Sequence, residues 1–303
     1  MIPAVEKQRC GMVAVVGAPN AGKSTLVNQL VGAKVSIVTH KVQTTRTRIR
    51  GIAVQGDSQI VFIDTPGIFA AKRRFERAMV QAAWAGVEDA DVVLMLHDAG
   101  RRDISEESRQ VIQGLAKARC EIVLVLNKVD LVKREKLLAL AADLSALANF
   151  SKVFMISALE GDGTADLLAY LASRMPQGPW LFPEDQLSDL SLRTLAAEIT
   201  REKLFLNLHQ ELPYSLTVET ENWEDFKDGS ARVEQVIYVG REQHKAICLG
   251  KGGRTIRLVR EAAQKEMEDA FGQPVHLFLF VKVRENWLED PERYRNLGLE
   301  FDA

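Results

Sequence analysis

A chain of 303 residues is long for one compact domain and comfortable for two, so each half can bury its own core. Apolar residues make up 47% and charged residues 26% of the chain, which excludes wholesale disorder and fibrous classes. The formal net charge is −2, so any nucleic-acid surface must be a local patch.

The cysteines and the N-terminus indicate the compartment. The three cysteines lie far apart and lack metal-ligand or redox-pair spacing, which suits a reducing environment. Charges at Glu6, Lys7 and Arg9 stand where a signal peptide requires an apolar core. The longest apolar runs, such as 122–126, are too short to span a bilayer. We therefore expect a cytoplasmic protein.

Short apolar runs alternate with helical stretches from residue 12 to about residue 175. The predicted strands are 12–16, 60–63, 92–96, 122–126 and 153–156. This alternation predicts an α/β domain with a mainly parallel sheet and helices on both faces. Ligands of such sheets bind beyond the carboxyl ends of the strands. Each nucleotide motif below begins within a few residues of such an end.

A break in the helical pattern separates two predicted domains. Three prolines and a glycine between residues 175 and 183 rule out a continuous helix. We place the first domain at 1–175, a linker at 176–188 and the second domain at 189–303. The second domain reads as a helix, two strands, two helices around a glycine-rich turn, and a strand over 275–283.

The first motif follows the strand 12–16 and opens a helix, as the pattern G-x-x-x-x-G-K-[ST] requires. Its glycines let successive N–H groups and the helix N-terminus approach phosphates. We expect Lys23 to reach the β- and γ-phosphates and Ser24 to ligate Mg²⁺. A glycine turn that binds nothing is the alternative, which this context disfavours. The motif comprises Gly17, Ala18, Pro19, Asn20, Ala21, Gly22, Lys23, Ser24 and Thr25.

A second motif comes directly after the strand 60–63. We expect Asp64 to hold Mg²⁺ through water and the Gly67 N–H to sense the γ-phosphate. Alone these residues are only a turn signal, but with the phosphate loop they predict a nucleotide site. The motif consists of Asp64, Thr65, Pro66 and Gly67.

Base choice rests on two further strand ends. The Asp130 carboxylate can accept hydrogen bonds from N1–H and the 2-amino group of guanine, and adenine lacks both donors. We expect Asn127 to bond the base edge and the Lys128 stem to pack on its face. After the strand 153–156, main-chain N–H groups are expected to bind the guanine O6. These groups belong to Ser157, Ala158 and Leu159.

The polar segment 34–50 lies between the phosphate loop and Asp64. A threonine hydroxyl here can complete the Mg²⁺ shell only when the γ-phosphate is present, which would make the segment a nucleotide-sensitive switch. We favour Thr45 over Thr44 for this ligand. A solvated loop is the alternative, and it holds in part because such segments are mobile in at least one state.

The residue after Gly67 is Ile68, which cannot orient an attacking water. Water positioning must then come from backbone groups, switch threonines or an added cation. The Asn20 side-chain oxygen is a suitable ligand for K⁺ beside the phosphates. The predicted catalytic residues are therefore Lys23, Thr45, Gly67 and Asn20, with GTP or GDP, Mg²⁺ and K⁺ as cofactors.

The glycine-rich turn of the second domain lies in a basic stretch. Residues 241–260 hold six Lys or Arg and one Glu, a local charge of +5. A G-x-x-G turn between helices can clamp the backbone of four single-stranded nucleotides, as in KH domains. A plain turn is the alternative, but the element order is that of a type II KH fold. The predicted RNA contacts are Lys245, Gly250, Lys251, Gly252, Gly253, Arg254 and Arg257.

Together these motifs resemble the Era family of GTPases over about residues 9–301. The resemblance rests on 17–25, 43–47, 64–67, 127–130, 157–159 and 250–253, and on the ending from 275 through Trp287 to 298. It implies a P-loop GTPase domain followed by an α+β type II KH-like domain. It further implies binding to the 3′ end of 16S ribosomal RNA, small-subunit (30S) assembly and peripheral association with the inner membrane. We expect a monomer.

Two rival interpretations remain. One is another GTPase of the same class, such as a tRNA-modification or tandem-domain ribosome factor, against which the single GTPase domain and the KH-like unit argue. The other is an RNA-binding module with a vestigial nucleotide site, against which the intact motifs argue. The slightly negative net charge of the chain also permits a protein-binding role for the second domain.

Overall fold

The computed structural model describes residues 7–101, 103–209, 212–285, 287 and 290–302. The described chain divides into two compact units. Unit 1 comprises the described residues of Met1–Ser36, Thr45–Asp189 and Leu297–Ala303, and unit 2 comprises those of Ile37–Thr44 and Leu190–Asn296. Both units are therefore built from separate stretches of chain.

Unit 1 is built around a six-stranded sheet in the order β2-β3-β1-β4-β5-β6. Its strands are β1 (Arg9–Gly17), β2 (Ile49–Gln55), β3 (Ser58–Asp64), β4 (Val92–Asp98), β5 (Glu121–Asn127) and β6 (Lys152–Met155). All pairings are parallel except β2 with β3, which form an antiparallel hairpin. The predicted mainly parallel sheet is confirmed, and β2 is a strand that the apolar pattern did not reveal.

Helices cover both faces of this sheet because its strands are apolar on both sides. All seven residues of β3 are buried, and β4 is buried except for its last residue. One core cluster packs around β1, α1 and α5, and another around β4, α2, α3 and α4. The helices are α1 (Lys23–Val31), α2 (Arg74–Glu88), α3 (Glu106–Leu115), α4 (Arg134–Ser145) and α5 (Thr164–Arg174).

Unit 2 has the predicted element order, with one further short helix after the last strand. It contains α6 (Leu192–Asn207), β7 (Leu216–Asp225), β8 (Ala231–Val239), α7 (Glu242–Leu249), α8 (Arg254–Phe271), β9 (Val275–Val283) and α9 (Pro291–Asn296). The sheet order is β7-β8-β9, with β8 antiparallel to β7 and parallel to β9. Alternate residues of β9, beginning at Val275, face the core, so the period-two pattern of the sequence holds.

The predicted linker 176–188 is ordered against unit 1. The Gln59 Oε1 accepts hydrogen bonds from the main-chain N–H groups of Leu181 and Phe182 at 2.9 and 3.0 Å. Ser188 pairs with Gly51 through an isolated antiparallel bridge. Unit 1 accordingly extends to Asp189, beyond the predicted boundary at 175. Within the described chain, the helices are all too short or too polar to pass through a bilayer.

Candidate nucleotide-binding site

The phosphate loop joins β1 to α1, and its shape requires glycine at two positions. Gly22 has φ 95°, and a Cβ there would lie 2.2 Å from Asn127 Nδ2. Gly17 has φ 156°, and a Cβ there would lie 2.5 Å from Leu96 O. The glycines of the motif therefore allow the loop to approach two neighbouring strand ends, as well as phosphates.

Lys23, at the start of α1, is directed into the loop. Its Nζ donates to Gly17 O at 3.2 Å and to Ala18 O at 3.1 Å. Burial lowers the pKa of Lys23 to about 8, and the nearby Asp64 charge opposes this shift. A buried ammonium that is bonded to two carbonyl groups would gain strongly from phosphate oxygens.

The residues predicted to bind the metal meet around the Asp64 carboxylate, which is fully buried. Its Oδ2 accepts hydrogen bonds from Ser24 Oγ at 2.7 Å, Ser36 Oγ at 2.5 Å and Thr45 Oγ1 at 3.4 Å. Ser24 Oγ and Thr45 Oγ1 lie 2.9 Å apart. Thr44 instead lies in unit 2, where its hydroxyl contacts Thr39 and Lys41 O. Ser36 is a member of this cluster that the sequence did not single out.

This cluster fits a magnesium ion. Asp64 Oδ1 is buried and has no hydrogen-bond partner within the described residues. Burial raises the pKa of Asp64 above its ordinary value, although the hydroxyl groups and Lys23 oppose this shift. A divalent cation would offset the cost of the buried carboxylate, and hydroxyl and carboxylate oxygens are the ligands that Mg²⁺ prefers.

Part of the switch segment belongs to unit 2. Residues Ile37–Thr44 are held there by two side chains of α6 that sequence reasoning missed. Arg201 Nη2 donates to Thr44 O at 2.6 Å, and the Val38 N–H donates to Glu202 Oε1 at 2.8 Å. Both α6 side chains are buried, Arg201 to 1% exposure. In the sequence both read as ordinary charges of a helix surface, so their burial is visible only in the structure.

Asn127 joins the base loops to the phosphate loop. Its Nδ2 donates to Ala21 O at 2.9 Å, and its Oδ1 accepts from the N–H groups of Lys128 at 2.8 Å and Ala158 at 2.9 Å. The side chain is almost fully buried. Both its polar atoms bond to main chain in the structure, and the expected contact of Asn127 with the base edge stays a prediction.

The other base-site residues are placed as follows. Lys128 has φ 65°, and its Nζ contacts Asn20 O at 2.8 Å and Asp98 Oδ2 at 2.6 Å. Asp130 is exposed just beyond β5. The Ser157 N–H donates to Asp162 O and the Ala158 N–H to Asn127, so both N–H groups already have protein acceptors. A guanine O6 contact would therefore share one of these two N–H groups or use that of Leu159.

The residues after Asp64 close against the phosphate loop. Thr65 Oγ1 donates to Val15 O at 2.8 Å, and Pro66 is buried. A Cβ on Gly67 would lie 3.1 Å from Pro19 Cα, so the two loops touch. The Ile68 side chain is buried in the core cluster of β4, which directs it away from the site. This geometry agrees with the argument that Ile68 cannot orient water.

The glycine-rich turn of unit 2 has the backbone that its sequence implies. Gly250, Gly252 and Gly253 have φ 73°, 61° and 74°, which side chains other than glycine adopt at a cost. Lys251, at the centre of the turn, is exposed. The other basic side chains lie on the flanking helices: Lys245 is half-buried on α7, and Arg254 and Arg257 are exposed on α8.

Comparison with known proteins decides the family. Residues 12–128 match the 50S ribosome-binding GTPase family, and residues 211–288 match the KH domain. GTPase Era of Rhizobium meliloti is 61% identical over 293 residues, covering 97% of this chain and 93% of that protein. GTPase Era of Brucella suis is 59% identical, with 97% and 94% covered. The chain belongs to the GTPase Era family.

Solved Era structures share the whole fold. Aquifex aeolicus Era, bound to GDP and AlF₄⁻, superposes with a TM-score of 0.90 at 35% identity, covering 96% of this chain and 99% of that one. An Era complex with MgGDPNP and nucleotides 1506–1542 of 16S ribosomal RNA has the same score, identity and coverage. The α/β GTPase domain, the KH domain and the GTPase activity expected of the Era family are thus confirmed.

Proposed function

We propose that this Era-family GTPase binds the 3′ end of 16S ribosomal RNA through the turn Gly250–Gly253 and acts in assembly of the 30S subunit. The observation that carries the proposal is the turn itself, in which three glycines with positive φ present Lys251 to solvent. A bare glycine backbone beside exposed cations fits the phosphates of single-stranded RNA. An Era protein crystallised with a 16S RNA fragment supports the choice of RNA.

A double variant tests this proposal. Lys251→Asp with Gly252→Asp places two carboxylates against the RNA backbone and leaves Gly250 and Gly253 in place. We expect loss of RNA binding in a filter assay, with GTP binding and basal turnover retained. Circular dichroism checks folding, and Lys227→Asp, a charge reversal on the loop between β7 and β8, serves as control. Unchanged RNA affinity in the folded double variant would show that the RNA-binding site does not lie at this turn.

For the nucleotide, we propose that the phosphate loop holds GTP or GDP and that Ser24, Thr45 and Asp64 hold Mg²⁺. The magnesium ion would neutralise phosphate charge, while Lys23 and the Gly67 N–H contact the γ-phosphate. Asp130 would read guanine. The cluster of three hydroxyl groups on one buried carboxylate oxygen supports this assignment.

We also propose that K⁺ binds beside the phosphates through the Asn20 side chain, because the buried Ile68 leaves water positioning to other groups. Turnover should then be faster in K⁺ than in Na⁺, and Asn20→Ala should abolish the difference. Equal rates in the two salts for the parent protein would leave water positioning to the protein alone.

The remaining parts of the proposal rest on family resemblance. We place the protein in the cytoplasm as a monomer, with peripheral contact to the inner membrane. Cell fractionation tests the location: the protein should be found in the soluble and ribosomal fractions, with a membrane-bound portion released by salt. A portion released only by detergent would contradict peripheral contact.

A further inference from the structure

Side-chain donors bond to the carbonyl groups of the two peptides that flank the Asn20 Cα, those of Pro19 and of Asn20 itself. Arg101 Nη2 donates to Pro19 O at 3.1 Å, and Lys128 Nζ donates to Asn20 O at 2.8 Å. Lys128 belongs to the base-reading motif. Arg101 belongs to none of the motifs, and it lies in the loop that follows β4.

These two contacts matter because Asn20 has an unusual backbone. Its φ is 64°, in the left-handed region that residues other than glycine enter only at a cost in backbone strain. The C=O and N–H of a trans peptide point in opposite directions. A donor that fixes the Pro19 carbonyl therefore also fixes the direction of the Asn20 N–H, which belongs to the same peptide.

Asp98 positions both of the basic side chains, Arg101 and Lys128. Its Oδ1 accepts from the Gly100 N–H at 2.9 Å, and its main-chain oxygen accepts from the Arg101 N–H at 3.2 Å. Its Oδ2 pairs with Lys128 Nζ at 2.6 Å. Asp98, at the end of β4, thus fixes the turn that carries Arg101. It also orients Lys128, which bonds to the carbonyl group of Asn20.

We propose that Arg101 is a positioning residue for GTP hydrolysis. By holding the Pro19 carbonyl, it keeps the Asn20 N–H directed at the phosphates and the Asn20 side chain where the cation is proposed to bind. Arg101 acts by positioning the phosphate loop, and its positive charge does not itself stabilise the transition state. The proposal rests on the assignment of Asn20 to the nucleotide site.

The test compares Arg101→Met, which keeps the stem but has no donor, with Arg101→Lys, which keeps a long donor. We expect Arg101→Met to lower kcat about tenfold, less than the loss of a direct transition-state donor. The KM for GTP and the Kd for GDP should change less than about threefold, since one contact among many is disturbed. Arg101→Lys should restore most of the rate. Arg109→Met, on the exposed side of α3, should match the parent.

A second measurement follows the loop directly. In the GDP-bound protein, the amide proton of Asn20 should resonate downfield, as expected for a donor to phosphate, and move upfield in Arg101→Met. The proposal fails if kcat in Arg101→Met stays within about twofold of the parent, since so small a change lies below 0.5 kcal/mol. It also fails if the Asn20 amide signal does not move, or if the melting temperature falls and GDP and GTP affinities drop equally. A parent that binds neither GDP nor GTP would instead refute the nucleotide assignment.

Discussion

Replacing Asn127 with alanine separates its role in holding the loops together from the base contact expected of it. Asn127→Ala removes three hydrogen bonds, of 2.8 to 2.9 Å, to Ala21 O and to the N–H groups of Lys128 and Ala158. Ala21 and Ala158 are buried, so their main-chain groups lose partners that water cannot readily replace. The Lys128 N–H is only half-buried and can be rehydrated.

The size of the effect follows from these partners. A buried polar group left without a partner costs about 1 to 3 kcal/mol, so two such groups should reduce the free energy of unfolding by about 3 kcal/mol after relaxation. For a unit of this size, that loss lowers the melting temperature by roughly 6 to 12 °C. The effect should be present in the nucleotide-free protein.

Calorimetry of nucleotide-free protein in EDTA is the assay. Asp130→Ala is the matched control, because Asp130 is exposed and its loss should weaken GTP binding while leaving the melting temperature unchanged. If Asn127→Ala melts with the parent and loses only GTP affinity, Asn127 is a base contact and its role in joining the loops is wrong.

Three further predictions concern other residues. Asp130→Asn should weaken GTP binding and improve XTP binding in competition assays, because an amide complements xanthine. Arg201→Ala should speed tryptic cleavage after Lys41 several-fold, because Thr44 O loses its buried donor. Burial raises the pKa of Cys248 to about 11, so the parent should lose up to about 2 to 3 kcal/mol more stability than Cys248→Ala as pH rises from about 9 to 11.

The sign of the Cys248 prediction follows from proton binding. Above its ordinary pKa the unfolded thiol ionises while the buried folded thiol stays protonated, so rising pH favours unfolding. Denaturant titrations of parent and variant at several pH values measure the difference. Parallel pH profiles would contradict the buried thiol.

Unchanged GTP affinity in Asp130→Asn would show that Asp130 does not read the base. Unchanged cleavage in Arg201→Ala would show that Arg201 does not hold the segment Ile37–Thr44.

The sequence was sufficient for most of the fold because periodicity marks buried strands and glycine marks the turns between elements. It was not sufficient for β2, which has a short pattern interrupted by Gly51 and is recognised only by its hairpin with β3. The boundary at residue 175 was drawn from prolines, yet Gln59 ties the following stretch to unit 1. Local composition does not reveal such long-range pairing.

Motifs indicated which loops form the proposed nucleotide site, but spacing did not reveal how the residues of these loops support one another. Lys23, Ser24, Thr45 and Asp64 come together as their motifs suggest. The contact of Asn127 with Ala21 O depends on how two strand ends meet in space. Arg101 belongs to no motif, and its contact with Pro19 arises only when the chain folds.

Because unit 2 is discontinuous in sequence, it cannot be expressed as a fragment, or exchanged by recombination, in one continuous piece. A gene fragment that begins at residue 190 would encode α6 without the eight residues Ile37–Thr44 that bond to Arg201 and Glu202. Two charges that are buried in the intact chain would then lack main-chain partners, so the excised piece should be less stable than the same residues in place. A recombination breakpoint at 189 would have the same effect. The set of residues that folds together and the set that can be transferred as one stretch of DNA are therefore different.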